Sequence, residues 1–360
     1  MRFAGRAVAI LLLGFPVLGS SAQAEPLVLE ATIPLGEISG RIDHLAFDTK
    51  RGRLIVAELG NNSVSIIDLD QRAVVRRITG LNTPQGVAYL AATDTIYVAS
   101  AGDGSVRRYK ADDFTQTGST DLGDDADNIR VDRATNQLIV GYGDGGLAVL
   151  EGVTTTKLAP KRDAQAGNAR GFLSGNKNSN RSRDKIKGAS AVYLLPVHPE
   201  GFQIDPRGQR LFVNLARLGD VGVVDRTSGK LVARWHAPGL GSNFSMAIDP
   251  DGQRLFVVYR RPSRLAIFAT DSGAVMATLD VCADPDDVFA DGKRRRLYVT
   301  CGEGGVDVIE QDAAGYRRVG RLTSGRGART GLYVPERDRL YVAVPAAPGQ
   351  PPAILAYRPM

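Results

Sequence analysis

Apolar and polar residues alternate with a period of two through most of this chain, in short runs, and no three-to-four period persists long enough for a useful helix. The runs are bounded by Asp, Asn, Pro and Gly, which hairpins need for tight or positive-φ backbone, as at Asp249-Pro250-Asp251-Gly252. One stretch shows the unit well. Phe202-Gln203-Ile204-Asp205 reads as a strand, Pro206-Arg207-Gly208-Gln209 as a turn, and Leu211-Phe212-Val213 and Val221 to Asp225 as the next two strands. Leu231-Val232-Ala233-Arg234-Trp235 supplies a fourth.

The unit recurs. Copies open near Asp43, Gln85, Asp127, Glu200, Asn243, Asp286 and Arg329, at spacings of 42, 42, 73, 43, 43 and 43 residues. A period in the low forties with alternating strands matches a four-stranded propeller blade and not a helical repeat. The expected fold is therefore all-β, a seven-bladed β-propeller of four-stranded blades spanning residues 25–360. After Arg329 there is room for three strands, around Leu332 to Val334, Leu340 to Val344 and Ala353 to Tyr357. The missing fourth is expected from Leu27 to Leu35, so that the two ends of the chain close the ring and leave no long open edge.

Tyr298-Val299-Thr300-Cys301, Tyr97-Val98-Ala99-Ser100 and Phe212-Val213-Asn214-Leu215 resemble the strand signature of the YVTN-repeat, YncE-like propeller family. Cys301 stands where that signature usually has Asn. The resemblance covers residues 25 to 360 apart from the insertion between the third and fourth repeats. It implies the architecture and leaves the chemistry open, because one fold hosts many functions.

The first 24 residues change the picture of where the chain works. Arg2 and Arg6 precede an apolar run from Ala7 to Leu18, and Ala22-Gln23-Ala24 is a small-residue cleavage site, so a secretory signal peptide ending at Ala24 is expected. No later segment is long and apolar enough to span a bilayer. The expected location is periplasmic or secreted, as a monomer.

Charge is unevenly spread. The formal net charge of +6 falls to +4 without Arg2 and Arg6, and residues 152–188 alone carry +7, which leaves −3 for the rest. A general nucleic-acid-binding surface is therefore not indicated by composition. The insertion, with Asn176-Lys177-Asn178-Ser179-Asn180-Arg181-Ser182-Arg183, has no apolar periodicity and is expected to be disordered, with contact to a polyanion as its candidate role. It lies opposite the ring of repeat-opening residues if Ser190 to Leu195 is the outer strand of the third blade, and beside that ring if Thr154 to Leu158 is.

Because the first strand of each blade lines the channel, the residues opening the repeats should form a ring at one mouth. The candidate ligand-binding residues are Asp43, Gln85, Asp127, Glu200, Asn243, Asp286 and Arg329, with His44, Asn128, His198 and Asp287 beside them. Ser245 and Thr330 add further polar groups. Four carboxylates brought together repel unless Arg329, a bound cation or protonation compensates. Asp43, Asp127, Glu200 and Asp286 are thus candidate oxygen ligands for a divalent cation. His44 and His198 sit three blades apart, so each is expected to be an ordinary rim residue and not half of a metal site. Such polar groups equally cap turns.

Cys282 and Cys301 lie in the sixth repeat at the same blade edge, and export with an even count predicts a disulfide beside the mouth. Haem, nucleophile-elbow, phosphate-loop and zinc-protease motifs are absent from the sequence. The expectation is a binding or scaffold propeller whose polar, acidic mouth takes a small ligand, cation or protein partner. The alternatives are a metal-dependent lyase or lactone hydrolase, and an accessory protein of a periplasmic quinoprotein or redox system.

Overall fold

The computed structural model describes residues 25–152 and 186–360. Among these residues, seven four-stranded antiparallel sheets stand in a ring and make a seven-bladed β-propeller, with three short 3-10 turns and no α-helix. The innermost strands are Leu45–Asp48, Pro84–Leu90, Ile129–Asp132, Phe202–Ile204, Gly241–Ile248, Pro285–Asp291 and Gly331–Val334. Each touches the next around the circle, and Leu45–Asp48 touches Gly331–Val334 to complete it. The last blade is closed as the repeat arithmetic predicts. Leu27–Pro34 pairs with Ala353–Pro359 as the outermost strand of a sheet whose other members are Arg339–Val344 and Gly331–Val334.

Burial follows position in the blade. The second strand is covered on both faces by neighbouring blades, so Arg53–Glu58 carries an unbroken run of buried residues from Leu54 to Glu58. The outer strand is covered on one face only, so Lys230–His236 alternates between exposed and half-buried. Apolar side chains gather in seven clusters among the described residues, each drawn from two adjacent blades. The core is thus a set of radial walls, and no blade completes its own apolar packing alone. Each outer strand pair also carries a register shift, from Ile66/Ile67 in the first blade to Leu29/Ala31 in the last. A bulge there strengthens the twist that splays each blade outward.

Away from the mouth, adjacent blades are clasped by charge. Arg51 pairs bidentately with Asp94 of the next blade at 2.7 and 2.6 Å, and also holds Asp48. Arg294 repeats this with Asp338 at 2.6 and 2.7 Å, and holds Asp291. Asp94 and Asp338 both cap 3-10 turns in the left-handed conformation.

Two expectations fall on residues outside those described: the signal peptide at 1–24 and the disorder of the insertion. Its flanks are described. Ala189–Leu194 is the outer strand of the third blade and pairs with Gly146–Glu151, so the insertion leaves the sheet on the face opposite the repeat-opening residues. No helix among the described residues is long and apolar enough to cross a membrane.

Candidate functional site

One backbone pattern places the ring. The Asp43 amide donates to the Ala57 carbonyl at 2.8 Å, that of Asp127 to Gly141 at 2.9 Å, and that of Glu200 to Asn214 at 3.0 Å. In each case the return bond comes from the second strand to the following residue, His44, Asn128 or Gly201. The three acids therefore occupy equivalent positions, each just ahead of an inner strand. Close blade contact here leaves no room for a side chain at Gly86, where a Cβ would stand 1.9 Å from the Asp127 carbonyl.

These positions surround a cavity of about 300 Å³. Blades one and two contribute Asp43, His44 and Gln85, blade three contributes Asp127 and Asn128, and the chain entering blade four contributes His198 and Glu200. Asp286 of blade six lines the far wall. The other three candidates stand outside it. Asn243 is fully buried and donates to the Asn214 side chain at 2.7 Å and the Asp220 carbonyl at 2.9 Å, which is a structural role. Asp287 accepts the Gly331 amide at 3.0 Å, pointing at the next blade. Arg329 pairs with Asp284 at 2.8 Å and comes only within 4.0 Å of Asp286.

The expected compensation of negative charge is present, but through other residues. Arg41, Arg217 and Arg260 line the cavity together with Asp125. Arg41 binds Asp43, and Arg260 binds Asp286 and reaches Asp284 at 3.1 Å. The Arg260 guanidinium lies 3.8 Å from the centre of the Phe244 ring, a cation–π contact that fixes it against the wall. Arg41 lies two residues ahead of a repeat start, whereas Arg217 comes from a second-to-third-strand turn and Arg260 from the end of the second strand Arg254–Arg261, places that the reading of repeat starts passes over. Arg41 and Arg260 occupy Asp43 and Asp286, two of the four expected oxygen ligands.

The other two remain with the histidines. His198 and His44 both approach Asp127, with Nε2 of His198 at 3.7 Å from Oδ2 and Nε2 of His44 at 4.0 Å from Oδ1. The expectation that histidines three blades apart do not converge is corrected here: both imidazoles reach the one carboxylate of Asp127. Nδ1 of His198 donates to the Gly143 carbonyl at 2.6 Å, which fixes the ring and turns Nε2 toward Asp127. Asp127 is only 6% exposed, and its Oδ1 is buried with no hydrogen-bond partner.

Electrostatics divide the group. Burial disfavours a charged His198, but the Asp127 carboxylate, the Gly143 carbonyl and Asp125 outweigh it and push the imidazole up to about 9. Burial also works against charge on His44, and Asp43, Asp287 and Asp127 still raise it. Burial alone would raise Asp127, yet the histidines hold it below the ordinary carboxylate value. Glu200 goes the other way: burial, with the Asp127 charge beside it, pushes its carboxyl up to about 7.

The predicted disulfide is present between Cys282 and Cys301, both fully buried. It ties the chain just before Ala283-Asp284-Pro285-Asp286 to the end of the second strand, and so holds the two acids that meet Arg260 and Arg329.

No protein-family profile and no curated protein matches the chain. Among solved structures it is similar to a chain of the Kuenenia stuttgartiensis hydrazine synthase, with TM-score 0.67 at 16% identity, covering 86% of this chain and 95% of that one. It is also similar to a chain of a mitotic checkpoint complex, with TM-score 0.68 at 11% identity, covering 99% and 98%. At such identity the likeness is one of fold.

Proposed function

We propose that this protein is an exported binding propeller of the YVTN-repeat type that captures a small cationic ligand in the mouth of its channel. The observation that carries the reading is Asp127, a buried carboxylate with an unpartnered oxygen on a cavity wall where Asp43, Asp125, Glu200 and Asp286 also stand. A buried acceptor without a partner costs on the order of 1–3 kcal/mol, which a cationic donor would recover. Arg41 and Arg260 bind Asp43 and Asp286, so the carboxylate oxygen left open to an incoming donor is that of Asp127. A concave site with a few convergent polar groups is the usual form of a small-ligand pocket.

The probe is a panel of small amines, putrescine, choline and agmatine, added to residues 25–360 and read by thermal shift and calorimetry. Stabilisation at millimolar amine or below, lost in Asp127→Asn, is the expected result. No response to any amine or divalent cation would remove the reading. A second reading, a metal-dependent lyase or lactone hydrolase, is favoured by one feature, the grouping of Asp127, His198 and Glu200. Metal-dependent turnover of a lactone would decide for it. The neighbours are chains of a hydrazine synthase and of a checkpoint complex, which keeps a protein partner or a redox accessory role within the scope of a pull-down from periplasmic extract.

A further inference from the structure

We infer that the cation this mouth takes is a first-row transition metal dication, held by Asp127, His198 and Glu200. The inference rests on the reading of the mouth as a cation site and deepens it.

One donor atom from each of the three residues lies within 4.8 Å of the other two. Bonds of about 2.0–2.2 Å place neighbouring ligands roughly 3–3.5 Å apart around an ion, so the group needs to close by about an ångström. The three come from one short arc of the ring. Asp127 leads into the inner strand of blade three, and His198 and Glu200 lead into that of blade four.

Two independent features point to a ligand here. The first is the Asp127 carboxylate, more than nine-tenths buried, lining the cavity with Oδ1 unpartnered. The second is the setting of His198. Its Nδ1 donates to the Gly143 carbonyl, and metal-bound histidines almost always hold their second ring nitrogen this way, because the bond fixes the tautomer and aims the other lone pair. Asn128 adds a buried, unpartnered Oδ1 on the same wall.

The donor set selects the ion. Calcium requires six to eight oxygens, and magnesium a near-octahedral oxygen shell that keeps several waters. One imidazole with two carboxylates suits zinc, manganese, iron or cobalt instead. Three protein ligands leave coordination positions open toward the cavity, the form of a site that binds a further molecule and not of a structural one. Arg41 and Arg260 bind Asp43 and Asp286 and keep those carboxylates out of the shell.

The test uses residues 25–360 freed of metal with EDTA and titrated with zinc chloride by calorimetry, and with cobalt chloride by visible absorption. One ion per chain at micromolar affinity or tighter is expected, with calcium and magnesium chlorides giving no competition at a hundredfold excess. His198→Ala should weaken zinc at least a hundredfold. Glu200→Gln, nearly isosteric, should weaken it about tenfold and change the cobalt spectrum while the fold is retained. His236→Gln, at an exposed histidine of the outer strand Lys230–His236, should leave affinity unchanged. The inference is overturned by no zinc or cobalt binding to the wild type, by unchanged affinity in both His198→Ala and Glu200→Gln, or by equal competition from calcium. If the amines stabilise the protein through Asp127 while zinc and cobalt do not bind, the metal falls and the cationic pocket stands. If neither binds, both fall.

Discussion

Breaking the Cys282–Cys301 bond tests how the mouth is held. The cysteines are 19 residues apart in sequence. Closing a loop of that length removes about 3 kcal/mol of chain entropy from the unfolded state, in the usual chain model. Unfolding entropy of about 2 cal/mol/K per residue, taken over roughly 330 residues, gives about 0.7 kcal/mol/K. The loss therefore corresponds to a fall in melting temperature of about 4–5 °C. Two proteins separate the cross-link from the packing. Wild type folded in reductant keeps both sulfurs and should show the 4–5 °C alone. The Cys282→Ala/Cys301→Ala variant also empties two fully buried sites in the wall between blades five and six, which adds roughly 1–2 kcal/mol and about 2 °C. Scanning calorimetry on both, with thiol state checked by mass, gives the answer. A fall under about 1 °C in both, with the bond confirmed absent, would refute the reasoning, since it would mean the ion pairs of Asp284 and Asp286 fix the loop unaided.

Three further outcomes follow from the geometry. Glu200 titrates near 7 in the fold against about 4.5 when free, so the folded state keeps a proton that the unfolded chain releases, and stability falls as pH rises across that window. Its full cost above pH 7 is about 3 kcal/mol. Glu200→Gln, measured in EDTA by chemical denaturation, should flatten the curve between pH 4.5 and 7; parallel curves for the two proteins would count against it. The Asp338 carboxyl is held well below its ordinary value by Arg294. Its contribution is then present above about pH 4 and is lost as pH falls below it. Asp338→Asn should cost on the order of 1–2 kcal/mol at pH 7 in guanidinium denaturation, with the gap to wild type narrowing toward pH 2. Gly86→Ala drives a methyl into the Asp127 carbonyl and should cost about 2–3 kcal/mol while weakening cation binding at the mouth; an unperturbed melting curve and affinity would show that the two blades part easily there.

Strand order, blade number and ring closure were legible because each follows from local periodicity repeated along the chain. An alternating run such as Lys230–His236 is covered on one face, a continuous one such as Leu54 to Glu58 on both, and the count of such units fixes the ring. The position of Asp43, Asp127 and Glu200 was legible for the same reason, since equal places in equal repeats receive equal backbone bonds. The disulfide needed only two cysteines at one edge of one sheet.

What the repeats could not show is which side chains meet across the axis. That His44 and His198 share Asp127 depends on the channel's width and on the Gly143 carbonyl that turns one ring. That Arg260 takes Asp286 and shares Asp284 with Arg329 depends on how three separate segments meet, which no period encodes. Asn243 stands one residue ahead of the place that Asp127 holds in its blade, which Phe244 takes because Met246 pairs with Val257 as Ile129 pairs with Val140, and its side chain turns to Asn214 and a carbonyl. Periodicity is a property of one strand and its two faces, and so it is written in the chain. Convergence at the mouth is a property of seven strands at once, and only their packing about a common axis decides it.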